Sequence, residues 1–155
     1  MCMSYRILFV CLGNICRSPT AEAVTRAKAA ERGLDVVVDS AGTGSWHLGK
    51  PPYPPMQATA RAKGYDLSAL RARLVTKADF SDFDLIIVMD KDNAADLAAI
   101  GPSDRLRLFT DYAPEGGASY VPDPYFTRDF DGALALIEDC AEGLLATLER
   151  RADQV

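Results

Sequence analysis

Four short runs of apolar residues punctuate the chain: Ile7 to Val10, Val36 to Val38, Leu85 to Met89 and Leu106 to Phe109. Their length and β-branched content read as buried strands rather than helices. Between them the pattern changes to helical. One helix is predicted from Ser18, with Pro19 in its first turn, to a stop at Gly33; a second runs from Pro54 to Lys63 before Gly64. A third covers Asn93 to Ile100 before Gly101-Pro102, and a fourth fills roughly Asp129 to Arg150. Strands alternating with helices predict an α/β three-layer sandwich, a four-stranded parallel sheet flanked by helices and joined by right-handed crossovers. No internal repeat interrupts this order, and the proline-rich segment Lys50 to Pro55 is short enough to be a loop.

A length of 155 residues with 48% apolar and 25% charged content fits one domain, 1–155, with a real core. The net charge of -5 and a pI near 4.8 argue against nucleic acid and anionic membranes as partners, since both need a basic face. The opening Met1 to Val10 has no basic segment before an apolar stretch, and no apolar run nears the ~20 residues that span a bilayer, so the expected location is cytoplasmic. Four cysteines, Cys2, Cys11, Cys16 and Cys140, are expected to be reduced in that compartment. No metal or other cofactor is expected, because Cys11 and Cys16 have no second close pair and the single histidine, His47, lies 31 residues beyond Cys16.

The chemistry concentrates in Cys11-Leu12-Gly13-Asn14-Ile15-Cys16-Arg17-Ser18, which follows the first strand and runs into the first helix. Open α/β sheets bind their ligands at that kind of place. Gly13 and Asn14 tolerate positive φ, so the turn can curl until its N–H groups form an anion nest, and the helix adds its positive end. Phosphate is the guest this suits. Arg17 can hold two phosphoryl oxygens at once. Cys11, at the base of a cup of N–H dipoles beside that cation, is favoured as the thiolate nucleophile without help from a histidine; His47 reads as a loop residue. A phenolate leaving group needs a proton, and Asp123, fixed between Pro122 and Pro124, is suited to supply it.

The stretch Cys11 to Pro19 resembles the Cys-x5-Arg-Ser-Pro signature of the low-molecular-weight protein tyrosine phosphatases. The resemblance extends through Asp39 to Thr43, Arg71-Ala72-Arg73, Val88-Met89-Asp90 with Asn93, and Val121 to Tyr125. It implies hydrolysis of phosphotyrosine in protein substrates through a cysteinyl-phosphate intermediate, without a metal, and it points to Asp123 as acid and base. It also implies that Asn14 and Ser40 hold the loop while Ser18 donates toward the thiolate. Leu12, Ile15, Trp46 and Tyr125 are expected to wall the mouth for a phosphotyrosine ring. Cys16 is expected to protect an oxidised Cys11 as a resolving thiol. The assembly expected is a monomer or weak dimer.

Three alternatives share parts of this pattern. Arsenate reductases of similar fold need a further cysteine in the middle of the chain, and none lies between Cys16 and Cys140. Arginine phosphatases of the same family carry threonine where this chain has Ile15. A catalytically silent phosphate-binding module is the third. The chain departs from the family at Tyr53-Pro54-Pro55, where many members place an acidic and a basic residue around a proline, and at Leu70, often histidine. Both departures predict fewer or different polar contacts behind the phosphate loop and a looser segment after Gly49.

Overall fold

Ile7, Leu8, Phe9 and Val10 are all fully buried, as a strand covered on both faces requires. The structure, a computed structural model, describes residues 4–114 and 117–153, so Cys2 lies outside it. Within these residues β1 (Tyr5–Cys11), β2 (Val36–Gly42), β3 (Leu85–Val88) and β4 (Leu106–Leu108) form one parallel sheet in the order β2-β1-β3-β4. Residue alternation splits β1 between two cores. Ile7, Phe9 and Cys11 join the cluster containing Val24, Met56, Leu134, Ile137 and Leu144, while Leu8 and Val10 join Val75, Phe83, Ile86 and Leu97.

The first cluster lies under α1 (Arg17–Glu31), α2 (Pro54–Ala62) and the long α6 (Phe130–Asp153). The second lies under α3 (Asp79–Asp82) and α4 (Lys91–Ile100). This is the expected three-layer arrangement. The chain leaves β1 toward β2 on one side and reaches β3 on the other, so the sheet reverses its order at β1. The carboxyl ends of β1 and β3 therefore open a crevice, and the Cys11 loop lies in it.

Several boundaries differ from the sequence reading. The second strand continues from Val38 to Gly42, because Asp39 and Ser40 find partners at the strand end: Arg73 binds Asp39, and Ser40 bonds Glu22. Helix α4 starts at Lys91, since Asp90 caps it by accepting from the Asn93 amide at 2.8 Å. Phe109 leaves the sheet for a 3-10 turn, Phe109–Tyr112, and closes the core against Phe9. Neither α3 nor α5 (Pro124–Thr127) was predicted; at four residues each they are too short to show a period.

Candidate active site

The loop after β1 is bent outward by its carbonyls. The Cys11 and Leu12 carbonyls accept from the Thr43 and Gly44 amides, that of Ile15 from Tyr53, and that of Cys16 from Thr20. Because each peptide is planar, the N–H groups following these carbonyls point the opposite way, into the cleft. Asn14 adopts φ 57°. Gly13 does not have positive φ; its lack of a side chain serves a close approach instead, since a Cβ there would lie 3.0 Å from the His47 ring. Gly42, paired with Cys11 across β1 and β2, is excluded from carrying a Cβ by the Leu12 carbonyl at 2.9 Å.

Asn14, Ser18 and Ser40 meet behind the loop rather than in the cleft. Asn14 Nδ2 donates to Ser18 Oγ at 2.7 Å and to Ser40 Oγ at 3.0 Å, while its Oδ1 accepts from the Arg73 amide at 3.0 Å. Ser18 Oγ lies 3.0 Å from Cys11 Sγ, and the Asn14 amide donates to the same sulfur at 3.2 Å. The sulfur thus has two polar neighbours suited to an anion. Helix α1 begins beside it with no side-chain cap and no acidic residue in its first turn, which leaves its positive end facing the loop.

Arg17 is 3% exposed. Its Nη1 donates to Asp90 Oδ2 at 2.7 Å and to the Val121 carbonyl at 3.1 Å, and its Nη2 lies 3.5 Å from Asp123 Oδ2. Burial works against the guanidinium charge, but Cys11, the hydrogen-bonded Asp90 and Asp123 outweigh it and hold the pKa above the ordinary arginine value. The buried Nε has no hydrogen-bond partner. Such a donor beside a ring of inward N–H groups is suited to an anionic oxygen. Asp123 itself caps α5 through Oδ1, which accepts from the Tyr125 amide at 3.1 Å, so its other oxygen is held toward Arg17.

Cys11 and Asp123 face a cleft of about 230 Å³ that is also lined by Leu12, Gly13, Ile15, Cys16, Trp46 and Tyr125, and Arg17 adjoins it through Asp123. Trp46 is 69% exposed at its edge, not a core residue. Cys16 lies at the start of α1 and is nearly buried; desolvation, then the charges of Asp123 and Cys11, push its thiol up. Two lining residues were missed as such: His47, read only as a loop residue, and Phe126, which has no motif of its own. No group of three or more potential metal ligands occurs among the described residues.

The departures from the family pattern are accommodated. The Tyr53 amide donates to the Ile15 carbonyl, its ring packs 5.2 Å from Tyr125, and its hydroxyl accepts from Arg128 at 3.0 Å, so it ties the Cys11 loop to the Asp123 segment. Leu70 packs against the core, and the segment after Gly49 is tied down by Gly49 and Ala72 amides bonded to the Ala72 and Lys50 carbonyls.

Residues 6–154 match the low molecular weight phosphotyrosine protein phosphatase family. The chain belongs to that family. It is 42% identical over 149 residues to the low molecular weight protein-tyrosine-phosphatase YfkJ of Bacillus subtilis, covering 93% of this chain and 96% of that one. The crystal structure of YfkJ superposes with a TM-score of 0.93 at 39% identity, over 97% of this chain and 98% of that one. A low molecular weight protein-tyrosine-phosphatase of Streptomyces coelicolor is 41% identical over 97% of this chain and 98% of its own length. The structure of a Drosophila arginine phosphatase also superposes, with a TM-score of 0.86 at 32% identity over 92% of this chain and 96% of that one.

Proposed function

We propose that residues 1–155 act as one protein tyrosine phosphatase unit in which Cys11, Arg17 and Asp123 carry the reaction. The observation that supports this most is the meeting in one small cleft of a hydrogen-bonded Cys11 sulfur and Asp123, with a buried arginine, its Nε unpartnered, 3.5 Å from that aspartate. Cys11 Sγ attacks phosphorus in line with the phenolic oxygen; the S–P bond forms as the P–O bond breaks, and Asp123 gives its proton to the departing oxygen. Arg17 and the loop amides balance the charge on the three equatorial oxygens. Water then attacks the cysteinyl phosphate, Asp123 takes its proton, and phosphate leaves with the Cys11 thiolate restored. Asn14, Ser18 and Ser40 hold the nucleophile, and Leu12, Gly13, Ile15, Cys16, Trp46 and Tyr125 receive the substrate.

Apolar Ile15 and the aromatic rim favour an aryl phosphate over a guanidinium-linked one, which places phosphotyrosine ahead of the arginine reading despite the Drosophila likeness. The site is suited to work in the reducing cytoplasm. After peroxide converts Cys11 to a sulfenic acid, attack by the Cys16 sulfur with loss of water gives a disulfide that a dithiol reduces. Hydrolysis of para-nitrophenyl phosphate without added metal, followed by phosphotyrosine, phosphoserine and phosphoarginine peptides, tests the reading. Phosphotyrosine is expected to be the fastest peptide and Cys11→Ser inactive. Binding without turnover would establish a silent module instead, and a preference for phosphoarginine would overturn the assigned substrate.

A further inference from the structure

The segment that carries Asp123 closes on a left-handed arginine. Arg128 has φ 64°, a conformation that glycine adopts freely and that crowds the Cβ of an arginine. Among the described residues the only other side-chain-bearing residue with positive φ is Asn14, whose type tolerates it. The Arg128 amide donates to the Pro124 carbonyl at 2.9 Å and ends one tight turn, in which the Asp123 carbonyl accepts from the Phe126 and Thr127 amides at 3.0 and 3.1 Å. Asp123 and Arg128 are therefore the two ends of one hydrogen-bonded unit.

The side chain offsets the backbone cost. The guanidinium carbon of Arg128 lies 5.3 Å from the centre of the Tyr53 ring and 5.0 Å from that of Phe130, and Nη1 donates to Tyr53 Oη at 3.0 Å. Both rings are anchored elsewhere. Phe130 opens α6 and packs against the core; Tyr53 precedes α2, and its amide donates to the Ile15 carbonyl of the Cys11 loop at 2.8 Å. On its other side the Asp123 segment is held by Val121, whose amide donates to the Met89 carbonyl at 2.9 Å and whose carbonyl accepts from Arg17 at 3.1 Å. Asp129, which accepts from the Gly132 amide at 2.9 Å, joins the chain to α6 but sets no distance to the Cys11 loop.

We propose that Arg128 is a positioning residue for the acid: clasped to Tyr53 and Phe130, it sets the distance between the Asp123 carboxyl and the Cys11 loop. The inference rests on the reading of Asp123 as proton donor. Proton transfer to a leaving oxygen depends on that distance, so a turn free to shift by about an ångström loses acid catalysis. Phosphate binding would survive, since Arg17 keeps its own bonds to Asp90 and the Val121 carbonyl. The Arg128 charge also reaches the cleft: the Cys16 thiol, raised mainly by burial, feels it in the opposite direction. Charge and clasp are separable, because a lysine keeps the first and cannot lay a planar fork over the rings.

The test compares kcat/KM on phenyl phosphate and para-nitrophenyl phosphate, the inhibition constant of inorganic phosphate, and, without any substrate, hydrogen exchange of the Phe126 and Thr127 amides by NMR. Arg128→Gly takes φ 64° without strain and is expected to fold. Its kcat/KM should fall about tenfold on phenyl phosphate, part of the full contribution of a positioned acid, and about twofold or less on the nitrophenyl ester. Inhibition by phosphate should stay as in wild type, and the two amides should exchange severalfold faster. Arg128→Lys should lose nearly as much as Arg128→Gly, and Tyr53→Ala combined with Arg128→Gly should lose no more than Tyr53→Ala alone. Equal losses on both esters, weaker inhibition by phosphate, unchanged amide exchange, a lysine variant that behaves as wild type, or additive losses with Tyr53→Ala would overturn the proposal. If wild type hydrolyses neither ester, the proposed function falls and amide exchange alone decides the clasp: faster exchange in Arg128→Gly and Arg128→Lys leaves it standing, and unchanged exchange sinks it too.

Discussion

Replacing Asp123 by asparagine separates acid catalysis from everything else the residue does. Asparagine is as good a helix cap as aspartate, and its Oδ1 can still accept from the Tyr125 amide, so α5 and the segment that carries it keep their place. What is lost structurally is the 3.5 Å contact with Arg17 Nη2, made by a side chain 21% exposed. A contact that long and partly solvated contributes about 1 kcal/mol or less. Arg17 keeps Asp90 and the Val121 carbonyl, so its guanidinium stays oriented. The missing proton weighs far more: positioned acid catalysis contributes roughly 10²–10⁴-fold, or about 2.7–5.4 kcal/mol of barrier. The assay is a series of aryl phosphates of graded leaving-group acidity, with the phosphorylation rate followed by rapid mixing. Asp123→Asn should lose the full factor on phenyl phosphate and phosphotyrosine and much less on the nitrophenyl ester, whose leaving group needs little protonation, while Tm changes by only a few degrees. Equal losses across the series would refute the assignment of Asp123 as the acid.

Further expectations concern the surroundings. Tyr53→Ala removes the amide-anchored ring and the Arg128 acceptor that join the two loops; turnover of poor leaving groups should fall severalfold more than that of activated esters, and Tyr53→Phe should recover most of it because the ring contact with Tyr125 survives. Among Cys11, Cys16 and Cys140, Cys11 should be alkylated first at neutral pH, Cys16, pushed up by burial, far more slowly, and Cys140, pushed up to about 12 by burial, only on unfolding; rapid labelling of native Cys140 would contradict its packing. Glu142 joins α6 to Lys28 of α1 and to Arg32 just beyond it, and its hydrogen bond to Lys28, then that to Arg32, holds its pKa below the ordinary carboxylate value. Its stabilisation is thus present above that ordinary value and lost as pH falls through the lower folded one, so the Tm gap between wild type and Glu142→Gln should be small, under about 1 kcal/mol in effect, at neutral pH and should vanish in acid.

The centre of the sheet was legible because β1 and β3 are buried on both faces and leave uninterrupted apolar runs, of which Ile7 to Val10 is the clearest. The loop was legible for a different reason. Its residues are contiguous, so cysteine, arginine and serine declare themselves within eight positions. What stayed hidden depends on contacts distant in sequence. Asp90, 73 residues from Arg17, caps α4 and is also the partner that holds the guanidinium. Glu22 and Arg26 have the spacing of an ordinary exposed ion pair on a helix; only the packing of α1 against β2 shows that the carboxylate faces inward to Ser40. The expectation that Gly13 supplies positive φ put the right residue in place for the wrong reason, because the nearby His47 ring could not be foreseen from sequence.

The covalent intermediate tests the account most directly. Acid quenching during turnover of a phosphotyrosine substrate, followed by mass spectrometry of the peptide that spans Cys11 to Arg17, should find a phosphoryl group on the Cys11 sulfur, and Cys11→Ser should yield no phosphocysteine. Turnover with no phosphorylated intermediate, or a phosphoryl group on any other residue, would contradict Cys11 as the nucleophile.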